Sequence, residues 1–220
     1  MNRQINHHLY DFDGTLTKKN TLTVLIDALI AHTSSINHFQ FYNRVIMKVL
    51  PKLGKDVIKH GLFSMCGKKT RHRHKGIIRR SVLSEIYDSF SVDDLSLITR
   101  KDIQSCGIND SVLQTLMKAA NDGHPVAIVT ASPEDWVSKF VVLMGWPVCA
   151  VYGTRWGVSD KECIGSAKRE RLIEENKGDP YVYRTGYGNL PDDFALLHFC
   201  DDATVVDEDG EMFNFRRTTN

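Results

Sequence analysis

The sequence predicts an α/β protein: a mainly parallel sheet whose connections are helical, interrupted by one long helical insertion. Three observations carry that expectation. Short apolar segments recur along the chain with helix-length segments between them. One interval, about 17–110, is far too long for a single crossover and repeats apolar residues at helical spacing. The first apolar segment ends in D-F-D-G-T, residues 11–15, where a strand would hand over to a turn.

The strand expectations are 7–12, 126–130, 148–152, 181–184 and 203–206. The clearest is V-A-I-V-T at 126–130, bounded by Pro125 and by a Ser-Pro helix start. In the long interval Leu22, Leu25, Ile26, Leu29 and Ile30 share one helical face. Val45, Ile46, Val49 and Leu50 form a second, stopped by Pro51, and Ile78, Val82, Ile86 and Phe90 form a third. Core elements resume at Asn109 or Asp110, the N-cap expected for a helix ending at Gly123. The division expected is therefore a core of 1–16 and 110–220, with 17–109 as the helical insertion.

Composition narrows the function classes. Apolar residues make up 42% of 220, and 28 basic residues face 27 acidic ones, so no global field calls for nucleic acid. The five cysteines show no C-x-x-C spacing, which argues against a zinc site or a disulfide framework and for a reducing, cytoplasmic setting. No run of 18 uncharged apolar residues occurs, so no transmembrane segment is expected. The stretch 43–64 is apolar but is interrupted by Lys48, Lys52, Lys55, Asp56 and Lys59; at most it lies on a surface. The densest basic run, 67–80, reads first as a solvated loop and helix start, and second as an attractor for an anionic substrate.

Four segments carry chemistry. In D-F-D-G-T, strand alternation sends Asp11 and Asp13 to one side and Phe12 into packing, while Gly14 permits a sharp turn. Two carboxylates so close repel unless a cation or a shared proton relieves them. A lone D-x-D would read as a turn; the strand before it and the helix after it make it specific. Thr130 closes the second strand beside Ser132, a candidate N-cap, and Pro133, so it borders free backbone N–H groups suited to an anion. In G-S-A-K-R-E-R-L, residues 165–172, Lys168 falls in the first turn of a helix, where the dipole opposes a cation and a bound anion would explain it. Lys161, Arg169 and Arg171 read as solvated surface. In G-Y-G-N-L-P-D-D-F-A-L-L, residues 186–197, Asn189 and Asp193 stand four apart, oxygen donors of the kind Mg²⁺ takes.

Taken together and in this order, the four segments resemble the motifs of the haloacid dehalogenase superfamily. The insertion after the first resembles the cap of its phosphoserine phosphatase branch, and 151–199 is also similar to bacterial phosphatidylglycerophosphate phosphatases of that branch. The resemblance implies a Rossmann-like core and a Mg²⁺-dependent phosphomonoester hydrolase acting on a small phosphorylated substrate. The alternatives are a lipid-phosphate phosphatase and a catalytically weak phosphate-binding protein. It implies that Asp11 is the nucleophile and that Asp13 protonates the leaving oxygen and then activates water. Thr130, with Ala131 beside it, and Lys168 would bind the phosphoryl oxygens. Asp11, the Asp13 carbonyl, Asn189 and Asp193 would hold the metal. Asn189 stands where the family usually has Asp, so Asp193, with Asp192 as second choice, would supply the compensating charge.

Overall fold

The computed structural model describes residues 6–60, 68–158, 160–176 and 183–215. Two compact units divide the chain. One holds the sheet and comprises 1–25, 99–155 and 162–220; the other is helical and comprises 26–98 and 156–161. The division thus falls inside the first helix rather than at residue 17, and residues 99–109 group with the sheet. A short second segment, 156–161, groups with the helices, so the helical unit is built from two pieces of chain.

Among the described residues the sheet has six strands in the order β3-β2-β1-β4-β5-β6. They are β1 (Asn6–Tyr10), β2 (Val126–Pro133), β3 (Ala150–Thr154), β4 (Tyr183–Gly188), β5 (Asp202–Val206) and β6 (Met212–Asn214). All neighbours pair in parallel except β5 and β6. The strands therefore point their carboxyl ends one way, which is where open α/β sheets place ligands. The small antiparallel strand β6 lay below the length a strand signal needs, and residues 181–182 of the fourth expected strand lie outside the described residues.

β1 is central, and its last two residues, Leu9 and Tyr10, are buried, one toward each face of the sheet. Leu9 packs with Ala127, Val129, Cys163, Leu172, Leu196 and Cys200. Tyr10 points the other way, stacks on Tyr187 with ring centroids 4.5 Å apart and meets the Thr115 hydroxyl at 3.2 Å. The flanking helices of this unit are α5 (Asp110–Asn121), α6 (Glu134–Met144), α7 (Ser166–Asn176) and α8 (Phe194–Phe199), with a one-turn helix α4 (Arg100–Ile103) before them. Asn109 is the N-cap of α5, but its side chain does not cap. It reaches back instead to donate to Thr15 O at 2.7 Å and holds the turn after β1.

In the helical unit lie most of α1 (Thr21–Thr33), α2 (His38–His60), α3 (Lys68–Ser89) and a 3-10 turn, Val92–Leu97. Leu29, Phe41, Leu83, Ile86 and Phe90 are buried in it. Glu85 is also buried, and its carboxylate is held by Lys48 Nζ at 2.6 Å, Arg44 Nη1 at 3.6 Å and the Ser89 hydroxyl at 2.7 Å. Trp156, from the second piece of chain, packs on Tyr87 with centroids 5.1 Å apart.

Two expectations fail here. α2 does not stop at Pro51 but runs through it to His60. A proline removes one N–H and crowds one carbonyl, which a helix of 23 residues can absorb. The apolar face expected of this segment is also split: Val45 is buried and Val49 half-buried, while Ile46 and Leu50 are exposed. The basic run 67–80 forms the start of α3; Gly67 itself lies outside the described residues. Among the described residues no helix is long and apolar enough to cross a membrane.

Candidate active site

β1 ends at Tyr10, so strand alternation does not set the two carboxylates of the first motif. A turn does. The N–H groups of Thr15, Leu16 and Thr17 converge on Phe12 O, and Gly14 N donates to Thr17 O at 2.8 Å. Phe12 is fully buried against Phe140 and Trp146, which anchors the turn from below. Gly14 is required twice over: its φ is +81°, and a Cβ there would stand 2.8 Å from Asn189 Nδ2.

Asp11 follows the last residue of β1 and its N–H bonds Tyr187 O on β4 at 2.8 Å. Its carboxylate is buried. Oδ1 accepts from Lys168 Nζ at 2.5 Å; Oδ2 accepts from the Thr15 hydroxyl at 3.2 Å and faces Asn189 Nδ2 at 3.5 Å. Asp13 turns its carboxylate elsewhere. Oδ1 accepts from Thr21 N at 2.7 Å and Oδ2 from the Ser132 hydroxyl at 2.5 Å. Burial pushes the Asp13 carboxyl above its usual range, against the pull of those two hydrogen bonds.

Lys168 lies in the first turn of α7, where the helix dipole does not favour it, and two carboxylates explain its presence. Its buried ammonium contacts Asp11 and Asp193. Burial works against the charge, but the two anions outweigh it and hold the amine above the ordinary lysine range. Asp193 caps the fourth motif: Oδ2 accepts from Asn189 N at 2.8 Å, and Asp193 N returns a bond to Asn189 O at 3.0 Å. Burial first, then the Asp11 charge, push its carboxyl up to about 7. Its neighbour Asp192 is exposed. At Gly188 a Cβ would lie 2.7 Å from the Asp193 Cβ, so only glycine lets this carboxylate come so close to the strand.

Thr130 is buried and its hydroxyl accepts from Ser132 N at 3.0 Å. β2 continues past it to Pro133 through a register shift, and α6 starts only at Glu134. Ser132 is therefore not the N-cap that its place before Pro133 suggested; its hydroxyl serves Asp13 instead. Thr154 supports this segment from β3. It is buried, donates to Ala131 O at 2.6 Å and accepts from Cys163 N at 3.0 Å. Arg171, expected on the surface, is largely buried and spans Glu134 at 3.2 Å and Glu175 at 2.7 Å. Ser132, Thr21 and Thr154 could not be picked out as site residues from the sequence, since their roles depend on strands and turns meeting across the fold.

All seven residues singled out from the sequence thus belong to the sheet unit, at or beyond the carboxyl ends of β1, β2 and β4 or at the start of α7 and α8. Six of them interlock through Asp11, Asp13 and their partners, while the Ala131 carbonyl is held by Thr154. Three carboxyl groups share the cluster, and among the described residues Lys168 is the one cation in contact with them. No three acidic, histidine or cysteine side chains converge to hold an ion by themselves among the described residues. A mixed oxygen set does converge. Asn189 Nδ2 donates to Asp13 O at 3.0 Å and faces Asp11 Oδ2, so one carbonyl and one carboxylate point at the same amide. Turned over, that amide presents its oxygen to the same point, and the three become hard oxygen donors fitted to Mg²⁺.

At the carboxyl edge of a parallel α/β sheet the chain thus gathers buried carboxylates, a lysine and an oxygen-rich corner. The chain belongs to the haloacid dehalogenase-like hydrolase family, whose model matches residues 9–198. No curated protein matches the sequence. Among solved structures, the chain is similar to a protein of unknown function from Bordetella pertussis Tohama I, with 14% identity, 91% and 89% of the two chains covered and a TM-score of 0.60. A conserved functionally unknown protein from Anaerococcus prevotii DSM 20548 gives 12% identity, 90% and 77% coverage and a TM-score of 0.52. A phosphoserine phosphatase in apo form gives 13%, 90% and 84%, and 0.50. At these identities the likeness is one of fold.

Proposed function

We propose that the protein is a Mg²⁺-dependent phosphomonoester hydrolase that carries the phosphoryl group transiently on Asp11. The observation that supports it most is the pairing of the buried Asp11 with Lys168 Nζ at 2.5 Å, beside a second carboxylate, Asp13, bound to other partners. One acid is thereby kept ready as a nucleophile and the other is left to handle protons.

In this reading an Asp11 oxygen attacks phosphorus and the bond to the leaving oxygen breaks. Asp13 gives its proton to that oxygen, which its raised proton affinity favours. Water then attacks the aspartyl-phosphate, Asp13 takes the water's proton, and inorganic phosphate leaves with Asp11 restored. Lys168, the Thr130 hydroxyl and the backbone at Ala131 offset the charge of the phosphoryl oxygens. Mg²⁺, held by Asp11, the Asp13 carbonyl and Asn189 with Asp193 behind them, would screen the repulsion between the carboxylate and the phosphate dianion.

Hydrolysis of p-nitrophenyl phosphate, with Mg²⁺ and with chelator, tests the proposal. Turnover that needs the metal is expected. No turnover of this or any of a panel of phosphomonoesters in the presence of Mg²⁺ would overturn it.

A further inference from the structure

We propose that the helical unit docks on an anionic lipid surface through the outward face of α2. The orientation of that helix is the first observation. Its polar side is turned inward: Lys48 Nζ meets Glu85 at 2.6 Å and Asp88 at 2.5 Å, and Lys52 Nζ meets the Ser81 hydroxyl at 3.3 Å, all on α3. Phe41 and Val45 are buried on the same side. Phe39, Tyr42, Ile46 and Leu50, at successive spacings of three, four and four, are left in solvent together with Met47. Phe39 is 76% exposed, Met47 71% and Leu50 59%. Apolar residues at that spacing ordinarily face a core. Here they line some three turns, about 16 Å, of open helix, and contiguous apolar surface of this kind marks a binding face.

Charge selects the occupant. Residues 38–89 contain twelve Lys and Arg against three Asp and Glu, a net of +9. The remainder of the chain holds 16 against 24, a net of −8, so the near-neutral total of +1 conceals a strongly divided molecule. The Debye length in physiological salt is about 8 Å, comparable to a helix's width, so the basic residues on α2 and α3 act on whatever meets the apolar face. A second copy would set +9 against +9. A neutral bilayer would accept the apolar side chains but not the charge. An anionic bilayer satisfies both: Phe39, Ile46 and Leu50 enter the headgroup boundary, and the net positive charge of 38–89 is drawn to the lipid phosphates.

None of these residues belongs to the Asp11 cluster, so the proposal stands apart from the catalytic reading and is tested without substrate. The full chain is sedimented with phosphatidylcholine vesicles containing about one-third phosphatidylglycerol and, separately, with pure phosphatidylcholine vesicles. Binding to the anionic vesicles is expected, weakening as salt is raised, with little binding to the neutral ones. The triple variant Phe39→Gln, Ile46→Gln, Leu50→Gln should keep its melting temperature, because the side chains are exposed, and should lose about tenfold or more in vesicle affinity. Three results would each overturn the proposal: no binding to anionic vesicles, equal binding by the triple variant, or a dimer in sedimentation equilibrium that the triple variant abolishes.

Discussion

The hydroxyl of Ser132 donates to Asp13 Oδ2 at 2.5 Å, joining the end of β2 to the turn after β1 across 119 residues of chain. A hydrogen bond to the ionised form of a carboxylate lowers its proton affinity, and this one opposes the upward push of burial. Ser132→Ala should therefore raise the pKa seen in the pH dependence of kcat, moving that limb toward higher pH. It should also cost about 1–3 kcal/mol of stability by leaving a carboxylate oxygen short of a partner. An unshifted pH profile would disconnect Ser132 from proton transfer.

Replacing Asp11 by Asn is expected to abolish turnover with the fold intact, since an amide does not attack phosphorus. The acid-labile phosphoenzyme formed on brief mixing with substrate should vanish as well. Asp13→Asn should instead slow poor leaving groups more than p-nitrophenolate, which departs without a proton. Measured side by side, the two variants separate nucleophile from acid; wild-type rates in Asp11→Asn would remove the proposed mechanism.

Asn189→Asp replaces the amide that bridges Asp11 Oδ2 and Asp13 O with an anion. Without metal this adds repulsion, so the melting temperature should fall. With Mg²⁺ the added charge should lower the concentration for half-maximal activity by about tenfold, for ~1.4 kcal/mol of extra attraction. The Mg²⁺-induced rise in melting temperature should accordingly be larger than in the parent protein. An equal rise in both would place Asn189 outside the metal shell.

The pH dependence of stability reports on Asp193. Burial and the Asp11 charge push its carboxyl up to about 7. Its contribution is fully present below the ordinary carboxyl value of about 3.9 and is lost as pH rises through about 7, because the unfolded chain then gives up the proton more readily than the folded one. The raised Asp13 acts in the same sense, whereas His8, held low by burial, acts in the opposite sense below about 6.5. Melting temperatures of the metal-free protein and of Asp193→Asn, compared between about pH 6 and about pH 8, isolate the effect. The parent should lose more stability over that range, and on the proposed reading Mg²⁺, by favouring the ionised carboxylate, should restore it at the upper end. Parallel curves would count against the assignment.

The parts of the molecule legible in the sequence are those that local chemistry dictates. D-F-D-G-T, Thr130, Lys168, Asn189 and Asp193 stand out because each puts a charged or hydroxyl residue where a strand or helix terminus gives it a reason. The alternation of strand and helix that predicted the parallel sheet is of the same kind. Ser132 was legible as a residue but not in its role, since a helix cap and an Asp13 partner look identical until β1 and β2 are brought together. Arg171 read as surface for the same reason, its carboxylate partner Glu134 being 37 residues away. Which of the apolar residues of α2 face inward was not legible, because helical periodicity gives the existence of a face and not the direction in which it points.

The sheet order has a consequence for how the chain comes to be folded. β1 is the earliest strand of the sheet in sequence, yet its partners are β2, which begins at Val126, and β4, which begins at Tyr183. During synthesis its two edges stay open while more than half of the protein is made, the second for longer than the first. Such non-local pairing slows folding and leaves an open strand edge available to other chains. Nascent or truncated forms that end before β4 would carry one unsatisfied edge at the very strand that leads into Asp11, and would aggregate before they could acquire activity.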